Sequence, residues 1–287
     1  LDRSSVASDV YKRQSQYPVG ADGAIGFYRA RSHRVVPVKR CLIQPEAADK
    51  TAAAVGEWMR RYKIPAYDET TGKGLVRHIY VRVNQKGESL CCVVINGKQA
   101  PREPELAAYV CAAVPHTVGV LVNSNTKRGN VILGEKYRTL WGQDFLMDTL
   151  CGLAFKLSVP SFYQVNHDQA EVLYGRALAY AGLTGAETVV DLYCGIGTIT
   201  LCLARQAGRV IGAEIVPAAI RDARENAARN HIENAEFFCG DAAEAAARLE
   251  AEGLRPDVIT VDPPRKGLAP EVIGSIAAMG PERVVYV

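Results

Sequence analysis

The sequence predicts an α/β protein in which a doubly wound parallel sheet follows a smaller α+β domain. Strand-like apolar segments alternate with helical segments from residue 187 to residue 287, which is the pattern of a parallel sheet with helical crossovers. Residues 15–159 hold strands and helices in a different order. The 287-residue chain is 48% hydrophobic and 23% charged, which excludes a disordered, collagen-like or coiled-coil protein.

The first predicted domain covers residues 15–159. Apolar residues recur at helical spacing over residues 46–63, and a second helix is predicted over residues 103–114. Strands are predicted over residues 75–83, 90–95 and 117–122. The order helix, strand, strand, helix, strand favours a compact α+β domain. Residues 1–14 resemble translated sequencing-adapter DNA, so they are excluded from the fold prediction.

The second predicted domain covers residues 160–287. Its helices are expected to begin after Thr198, Pro217, Asp241 and Pro270. Strands joined in this way by helices run parallel, through right-handed connections. A ligand of such a sheet lies beyond the carboxyl ends of the strands. The predicted strands are residues 188–192, 210–213, 236–238, 258–261 and 284–287.

Charge is divided unevenly between the two predicted domains. Residues 161–287 contain 11 Lys and Arg and 17 Asp and Glu, whereas residues 1–160 contain 23 and 14. A basic first half predicts contact with a polyanion; chance scatter of charge between two ordinary domains is the alternative. No apolar run approaches the roughly 18 to 20 residues of a membrane span, and the chain does not open with a signal-peptide pattern. We therefore expect a cytoplasmic monomer without a membrane partner.

The eight cysteines favour reduced thiols. None of them forms a Cys-x-x-Cys pair, and their spacing matches neither a zinc site nor a disulfide framework. Most lie in apolar surroundings, where a free cysteine is a small core residue. We expect reduced structural thiols at every position except Cys41.

The turn after the first predicted strand of the second domain is suited to a ligand. It reads Asp191-Leu-Tyr-Cys-Gly195-Ile-Gly197-Thr198-Ile-Thr200, and its glycines allow the backbone to approach a ligand closely. A dinucleotide-binding turn would have a third glycine where Thr200 stands, which argues against NAD. A tight strand-to-helix turn without a ligand is the alternative.

Carboxylates close four successive predicted strands. Asp191 follows the first, and Glu214 follows the second, where it could accept hydrogen bonds from a ribose diol. Asp241 follows the third and could meet an adenine edge. Asp262 follows the fourth, in a stretch that two prolines hold extended. Each acid alone is an ordinary cap or loop residue, but the four together predict a nucleoside ligand without a pyrophosphate, which fits S-adenosylmethionine better than NAD.

Three motifs carry a resemblance to a known family. They are Ser161-Phe-Tyr-Gln-Val-Asn166, Asp191-Leu-Tyr-Cys-Gly-Ile-Gly197 and Asp262-Pro-Pro-Arg-Lys-Gly267. With them, the chain from about residue 15 to its last residue resembles the RNA uracil-C5 methyltransferases, and within these the bacterial 23S ribosomal RNA branch. The resemblance implies a Rossmann-like class I methyltransferase domain over residues 160–287. It also implies transfer of a methyl group from S-adenosylmethionine to C5 of a uridine, which gives 5-methyluridine during ribosomal RNA processing.

The resemblance also implies roles for individual residues. Phe162 matches an aromatic side chain that stacks on the target base; without the motif, core packing would be the preferred interpretation of Phe162 and Tyr163. Cys194 is not expected to be the nucleophile, since the family's nucleophile lies elsewhere. Four residues match positions that contact S-adenosylmethionine: Gln164, Tyr193, Glu214 and Asp262. Four more are expected to line the same site: Gly195, Gly197, Thr198 and Asp241.

The resemblance places the catalytic nucleophile outside this sequence. In the family, a cysteine thiolate adds to C6 of uracil, C5 then takes the methyl group, a base removes the C5 proton and the thiolate leaves. That cysteine stands in a Ser-Cys-Asn-Pro turn directly after the fifth strand, and the carboxylate base lies further on. Both are expected after Val287, so no catalytic residue is expected within the chain. We therefore expect a fragment, truncated at both ends, that binds the cofactor but does not methylate RNA by itself.

Two features of the first domain take their meaning from the resemblance. Cys41 resembles the fourth thiolate ligand of a four-iron four-sulfur cluster in the intact parent. The other three ligands would precede residue 15, so no cluster is expected here; a buried structural thiol is the alternative. Looped or single-stranded RNA is the expected substrate, because the target base must leave its stack. Five basic residues form the candidate RNA surface, with solvated surface charge as the alternative: Arg29, Arg31, Arg34, Lys39 and Arg40.

Three other functions stay open. An amino-group nucleic-acid methyltransferase shares Asp262-Pro-Pro264, but an aromatic residue usually follows there instead of Arg265. An NAD-dependent oxidoreductase would bind NAD in place of S-adenosylmethionine. A non-catalytic RNA-binding module could keep the methyltransferase fold without the chemistry.

Overall fold

The computed structural model describes residues 15–164 and 166–287. The adapter-like segment 1–14 therefore lies outside the described residues. In the described part of the chain, no helix combines the length and the apolar character that a membrane crossing requires.

The chain divides into two units. The first extends to Leu146 and includes Ser158–Pro160; the second comprises Met147–Leu157 and Ser161–Val287. The boundary predicted at residue 159 differs from this division, because it assigned Met147–Leu157 to the first domain. The side-chain oxygens of Asn226 and Asn230 each accept a hydrogen bond of 2.8 Å from the backbone of that segment. Hydrogen bonds between residues this far apart in the chain cannot be predicted from the local sequence pattern.

The first unit is built on a mixed sheet. Its elements are β1 (Ser15–Pro18), β2 (Gly26–Tyr28), β3 (Val35–Pro37), α1 (Glu46–Tyr62), β4 (Val76–Val83), β5 (Ser89–Ile95), α2 (Glu103–Ala113), β6 (Thr117–Ser124) and β7 (Lys136–Gly142). The strand order is β1-β4-β5-β6-β7, in which β5 and β6 are parallel and the other neighbours antiparallel. β2 and β3 form a separate hairpin. Both predicted helices and all three predicted strands are present, whereas β1, β2, β3 and β7 were not predicted.

Helix α1 supplies the largest side chain of this unit's core. Trp58 is fully buried beside Val55, and its indole Nε1 donates a 2.9 Å hydrogen bond to the carbonyl of Arg102. Burying an apolar side chain of this size stabilises a fold by about 2–3 kcal/mol. The helix ends at Lys63, whose φ of 53° stops the helical hydrogen-bond pattern.

The second unit contains the predicted parallel sheet. After the hairpin of β8 (Phe145–Leu150) and β9 (Leu153–Ser158), the elements are α3 (His167–Ala181), β10 (Thr188–Asp191), α4 (Thr198–Ala204), β11 (Arg209–Glu214), α5 (Pro217–Arg229), β12 (Ala235–Cys239), α6 (Ala242–Ala251), β13 (Val258–Val261), α7 (Pro270–Met279) and β14 (Arg283–Tyr286). The order is β12-β11-β10-β13-β14, and every neighbouring pair is parallel. The doubly wound prediction is confirmed.

The strand order of this sheet fixes where a ligand can bind. From β10 the chain builds outward through β11 and β12, then crosses to β13 and β14 on the other side. A crevice forms at such a reversal, outside the carboxyl ends of β10 and β13. Val190 and Ile259 are paired in register there and fully buried, as expected for strands covered on both faces.

Candidate functional site

The loop between β10 and α4 is a tight turn in which two glycines have left-handed backbone conformations. Gly195 and Gly197 have φ values of 55° and 85°, in the left-handed region where side chains are strained. The Gly197 amide donates a 2.8 Å hydrogen bond to the carbonyl of Cys194, which closes the turn. No atom lies within 4 Å of where a Gly195 side chain would point. The backbone of the turn therefore faces open space at the end of β10.

Glu214, at the end of β11, is held across two neighbouring loops. Its Oε2 accepts a 3.2 Å hydrogen bond from the Gly195 amide, and its Oε1 accepts a 2.9 Å bond from the Val216 amide. The backbone thus fixes the carboxylate beside the glycine turn. Each carboxylate oxygen has a second lone pair, so Glu214 can still accept hydrogen bonds from a ligand hydroxyl.

The carboxyl ends of β10 to β13, with Asp191, Glu214, Asp241 and Asp262, are called the rim below. Asp191 has a different role from the other three carboxylates of the rim. It is fully buried, and its Oδ2 accepts a 2.6 Å hydrogen bond from the Thr200 hydroxyl. Burial raises the pKa of Asp191 to about 6, against the opposing effect of the Thr200 hydrogen bond. The sequence grouped Asp191 with three ligand-facing acids; the structure turns it inward, where it ties the start of α4 to the end of β10.

Asp262, at the end of β13, is half-buried without a hydrogen bond from any residue that the structure describes. Burial raises its pKa to about 6. Its charge contributes to the raised pKa of Asp191 and of the Tyr174 hydroxyl, so the three groups lie near one another. A desolvated carboxylate of this kind is stabilised by a hydrogen-bond donor or a positive charge.

Tyr193, in the glycine turn, lies near Asp241 at the end of β12. Burial, the charge of Asp241 and the Tyr286 hydroxyl, in that order, raise the pKa of Tyr193. Asp241 is exposed and caps α6, because its Oδ1 accepts a 2.8 Å hydrogen bond from the Glu244 amide. The structure therefore brings Asp241 to the predicted rim and also gives it the helix-cap role that the sequence left as its alternative.

The rim also involves Tyr174, which the sequence analysis did not name, and Thr200, which it named only as the residue in place of a third glycine. The Tyr174 hydroxyl on α3 lies 3.1 Å from the Thr198 hydroxyl at the start of α4. Helix α3 was not predicted, although its buried positions follow helical spacing: Ala170, Tyr174, Ala177 and Ala181. That spacing was the signal that could have revealed the helix.

The segment before α3 separates two neighbouring aromatic residues. Tyr163 is buried with its ring 6.3 Å from that of Phe155, so core packing is the right description for Tyr163. Phe162 is 48% exposed and Gln164 is half-buried. No contact among the described residues joins Phe162 or Gln164 to the rim. The predicted ligand roles of these two residues therefore remain predictions.

The Cys194 thiol is not activated, and Cys41 has no metal-binding partners among the described residues. Cys194 is buried, and burial together with Asp191 and Glu214 raises its pKa well above the ordinary value, which makes it a poor nucleophile. Cys41 is half-buried, and its backbone amide donates a 2.8 Å hydrogen bond to Asp49 Oδ2. The described residues contain no cluster of three or more His, Cys, Asp or Glu that could hold a metal. The iron–sulfur role of Cys41 is therefore still a prediction.

The candidate RNA surface lies around the β2–β3 hairpin of the first unit. All five of its basic side chains are exposed: Arg29, Arg31, Arg34, Lys39 and Arg40. Tyr28 is 41% exposed in the same hairpin, and its ring lies 5.6 Å from that of His33. Positive charge and an accessible aromatic ring are the groups that bind unpaired nucleotides.

Comparisons with known proteins bear on both units. A family profile described as a methyltransferase domain matches residues 183–276. Curated proteins named as uncharacterized RNA methyltransferases from Halalkalibacterium halodurans and Clostridium acetobutylicum are 44% and 42% identical to this chain over 281 residues. Each match covers 96% of this chain and 61% of the relative. The chain thus spans about three fifths of their length.

A solved structure has the same fold. The tRNA (uracil-54, C5)-methyltransferase of Pyrococcus abyssi, solved with S-adenosyl-L-homocysteine, aligns with a TM-score of 0.77 over 94% of this chain and 64% of that one, at 23% sequence identity. The residues matched by the family profile include the glycine turn and the ends of β10 to β13. Residues 183–276 are thus a methyltransferase domain of class I fold, in a chain homologous to curated RNA methyltransferases.

Proposed function

We propose that this chain is the cofactor-binding and RNA-contacting part of an S-adenosylmethionine-dependent enzyme that methylates C5 of a uridine in RNA. One observation carries the cofactor assignment. Glu214 is fixed by the amides of Gly195 and Val216 beside an open glycine turn, with acceptor capacity left over. That is the arrangement needed to grip a ribose diol at the carboxyl edge of a parallel sheet.

The charges of the rim favour S-adenosylmethionine over a dinucleotide. Glu214, Asp241 and Asp262 surround the turn with negative charge, which would repel a pyrophosphate. S-adenosylmethionine instead carries a sulfonium and an ammonium group, and positive charge stabilises a desolvated carboxylate such as Asp262. When bound, this cofactor supplies the methyl group.

Each predicted cofactor residue has a separate task in this proposal. Glu214 binds the ribose hydroxyls, while Asp241 and Tyr193 flank the base of the nucleoside. Gly195 and Gly197 have no side chains, so the nucleoside can approach the backbone of the turn closely. In this proposal, the remaining part of the cofactor site is formed or positioned by four further residues: Asp191, Thr198, Asp262 and Gln164.

The RNA assignment rests on the homologous RNA methyltransferases and on the basic β2–β3 hairpin. For the whole protein we propose a uridine of 23S ribosomal RNA as the target and 5-methyluridine as the product. Phe162, which is 48% exposed, would stack on the extruded base. Taking that base out of its stack costs a few kcal/mol, least in a loop or single strand.

The proposed chemistry needs a thiolate that adds to C6 of uracil and so makes C5 nucleophilic. Cys194 is in the glycine turn and its thiol is buried, but its pKa is strongly raised. It is therefore unsuited to be this nucleophile. As the resemblance to the uracil-C5 methyltransferases implies, we propose that the nucleophile is a cysteine outside this sequence, and that residues 15–287 bind cofactor and RNA without transferring the methyl group.

Calorimetry with this chain tests the proposal. Binding of S-adenosylmethionine and S-adenosylhomocysteine with no binding of NAD is the expected result. Binding of NAD alone would support an oxidoreductase instead. Incubation with radiolabelled S-adenosylmethionine and a 23S ribosomal RNA fragment should leave the RNA unlabelled. Label recovered as 5-methyluridine would contradict the nucleophile assignment, and label on an exocyclic amine would favour the amino-group alternative.

RNA binding is tested separately by electrophoretic mobility shift at fixed ionic strength. A charge-removal variant of the hairpin, with Arg29, Arg31 and Arg34 changed to Gln, should bind a 23S loop fragment at least about tenfold more weakly. The same number of changes on an exposed part of the second unit, Arg176, Arg229 and Arg255 to Gln, is the matched control. Equal weakening by both variants would exclude the hairpin as the specific surface.

A further inference from the structure

A fully buried asparagine lies inside helix α5, apart from the residues assigned to the cofactor site. Asn226 stands near the end of this helix, and its side chain is closed off from solvent. Asparagine is a poor helix former, and a buried amide is costly unless its hydrogen bonds are made. Asn226 therefore stabilises the fold only through the groups that its amide binds.

The amide of Asn226 joins two backbone groups from different parts of the second unit. Its Nδ2 donates a 3.2 Å hydrogen bond to the carbonyl of Ile196 in the glycine turn. Its Oδ1 accepts a 2.8 Å hydrogen bond from the backbone amide of Lys156 on β9. One partner is an acceptor and the other a donor, so the orientation of the amide group is determined. An ionised aspartate has the same shape but could make only the bond to Lys156.

The bond to Ile196 completes the peptide group between Ile196 and Gly197. The N–H of this group donates a 2.8 Å hydrogen bond to the Cys194 carbonyl, while its C=O accepts the bond from Asn226. Because a peptide group is planar, the two bonds together fix its orientation. Gly197, with a φ of 85°, has no side chain that would restrict rotation of this peptide group. Asn226 thus supplies a restraint that the glycine turn lacks by itself.

The same face of α5 holds the chain at and after β9. Residues four positions apart lie on one side of a helix. One turn before Asn226, Asp222 Oδ2 accepts a 2.9 Å hydrogen bond from the Ser161 hydroxyl. One turn after it, the Asn230 side chain binds the backbone amide and carbonyl of Ala154 at 2.8 and 2.7 Å. Asn226 stands between these anchors and binds the glycine turn as well.

We propose that Asn226 is a positioning residue of the cofactor site, which holds the glycine turn in a fixed relation to β9 and to Phe162 beyond it. The inference rests on the proposed function, in which the turn binds S-adenosylmethionine and Phe162 stacks on the target base. Being fully buried, Asn226 acts through the Ile196 carbonyl and not on the ligand itself. A turn that is ordered before the ligand arrives has less conformational freedom to lose on binding. Loss of Asn226 should therefore weaken cofactor binding.

Calorimetry on two alanine variants of the full chain tests this role. Asn226→Ala should bind S-adenosylmethionine at least about fivefold more weakly, because the Ile196 carbonyl loses its donor. Asn230→Ala is the matched control: it removes two backbone hydrogen bonds to the same β8–β9 hairpin, and its affinity should stay within about twofold of wild type. Urea denaturation of both variants compares their stability losses. Unchanged affinity in a folded Asn226→Ala protein, or an equal affinity loss in both variants, would overturn the proposal.

Hydrogen exchange of the cofactor-free protein gives a measurement that is independent of ligand binding. Asn226→Ala should speed exchange of the Gly197 amide at least about fivefold, whereas Asn230→Ala should not. If the wild-type chain binds no S-adenosylmethionine but the Gly197 amide responds in this way, the proposed function fails and the restraint on the turn is upheld. An unaltered Gly197 amide in Asn226→Ala would reject the restraint, whatever the chain binds.

A second pair of variants serves if Asn226→Ala does not fold. Asn226→Asp keeps the acceptor for the Lys156 amide but places an oxygen against the Ile196 carbonyl, so the glycine turn alone loses its bond. The same loss of affinity and of Gly197 protection is expected, with Asn230→Asp as the control. Wild-type affinity and exchange in Asn226→Asp would overturn the proposal.

Discussion

The two sheets place their polar side chains in different positions. In the first unit, β4 (Val76–Val83) carries Arg77, His78 and Arg82 within the strand, and all three are buried. In the second unit, β10 and β13 carry no charged side chain before their ends, and the carboxylates of Asp191 and Asp262 stand where these strands end. The first arrangement serves the fold, and the second forms the candidate site.

Buried polarity inside β4 is satisfied only in part, since Arg77 Nε and His78 Nδ1 are buried without a hydrogen-bond partner in the described part of the chain. Arg77 Nη1 donates to the carbonyls of Asn125 and Lys127 at 2.7 and 2.8 Å, and its guanidinium lies 4.6 Å from the centre of the Tyr67 ring. Arg82 Nη2 donates to the Val159 carbonyl at 3.1 Å. These bonds hold loops and chain segments that have no other regular structure.

Polarity at the ends of the parallel strands is satisfied only in part. Glu214 receives two backbone amides but keeps free acceptor capacity, and Asp262 is desolvated with no hydrogen bond from the described residues. A buried or half-buried polar group without a full set of partners is destabilising unless a ligand completes it. The comparison teaches that the two sets of groups differ in what they hold: the guanidinium groups of β4 bind carbonyls of the protein, whereas Glu214 and Asp262 keep acceptor capacity at the ends of the parallel strands.

The largest expected effect follows from removing Arg77, whose Nη1 binds two backbone carbonyls. Arg77→Met should lower the free energy of unfolding of the first unit by about 3 kcal/mol or more, because two buried carbonyls lose their donor. Urea denaturation followed by hydrogen exchange of the β4 amides measures it. Arg209→Met is the control, since its ion pair with Glu236 is largely exposed and should be worth less than about 1 kcal/mol. Similar losses in both variants would break the comparison.

The two sheets should also respond to acid in opposite directions. Burial, with a smaller effect of Arg77, lowers the pKa of His78 to about 3. The unfolded chain therefore binds a proton before the folded one, and stability is lost as pH falls below about 6.5. From pH 7 to pH 5 this amounts to about 2 kcal/mol for β4. Asp191 has a raised pKa of about 6, so the folded state gains its proton first and β10 becomes more stable by about 1.4 kcal/mol.

Hydrogen exchange at the two pH values, corrected for intrinsic rates, measures both changes. His78→Gln should remove the loss in β4 while leaving β10 unaffected. Asp191→Asn should remove the gain in β10, since its side chain carries no charge at either pH. A parallel response of both strands in the wild-type protein would show that these two buried groups do not dominate the titration.

The contrast also explains what the sequence could predict. The parallel sheet was predictable because β10, β11 and β13 are short apolar runs separated by helical spacing, and its acids stand at recognisable strand ends. The shortest strands, β2 and β3 with three residues each, have too little pattern to be identified. Helix α3 lacks a strong apolar stripe because its buried face is mostly alanine.

The site was predicted less completely than the sheet that carries it. That Asp191 is turned inward while Glu214 faces the open turn depends on Thr200 and Val216, which hold the two carboxylates from different loops. Likewise, the burial of Arg77 and His78 depends on residues 48 positions and more away. Spacing along the chain gives the edge of the sheet at which a residue lies but not the direction of its side chain.

A direct test of the open site is Glu214→Gln. The amide keeps one acceptor oxygen, but its NH2 group would face the amide of Gly195 or Val216, and it carries no charge for a ribose diol. S-adenosylmethionine should bind about tenfold more weakly, equivalent to about 1.4 kcal/mol, by isothermal titration calorimetry. Glu236→Gln, on the exposed edge strand β12, is the matched control. Unchanged affinity in Glu214→Gln would mean that the strand ends do not hold the nucleoside.

The smallest effects on stability and affinity are expected at Tyr174, which contributes to the candidate site from helix α3 and not from a strand end. Tyr174→Phe removes only the hydroxyl 3.1 Å from Thr198, so stability should fall by about 0.5–1.5 kcal/mol. Because Thr198 starts α4 and Tyr174 acts through it, affinity for S-adenosylmethionine should fall by less than in Glu214→Gln, about threefold at most. Calorimetry on both variants under the same conditions gives the ranking. A larger loss in Tyr174→Phe would place the helix hydroxyl in direct contact with the ligand and move the centre of the site from β11 toward α3.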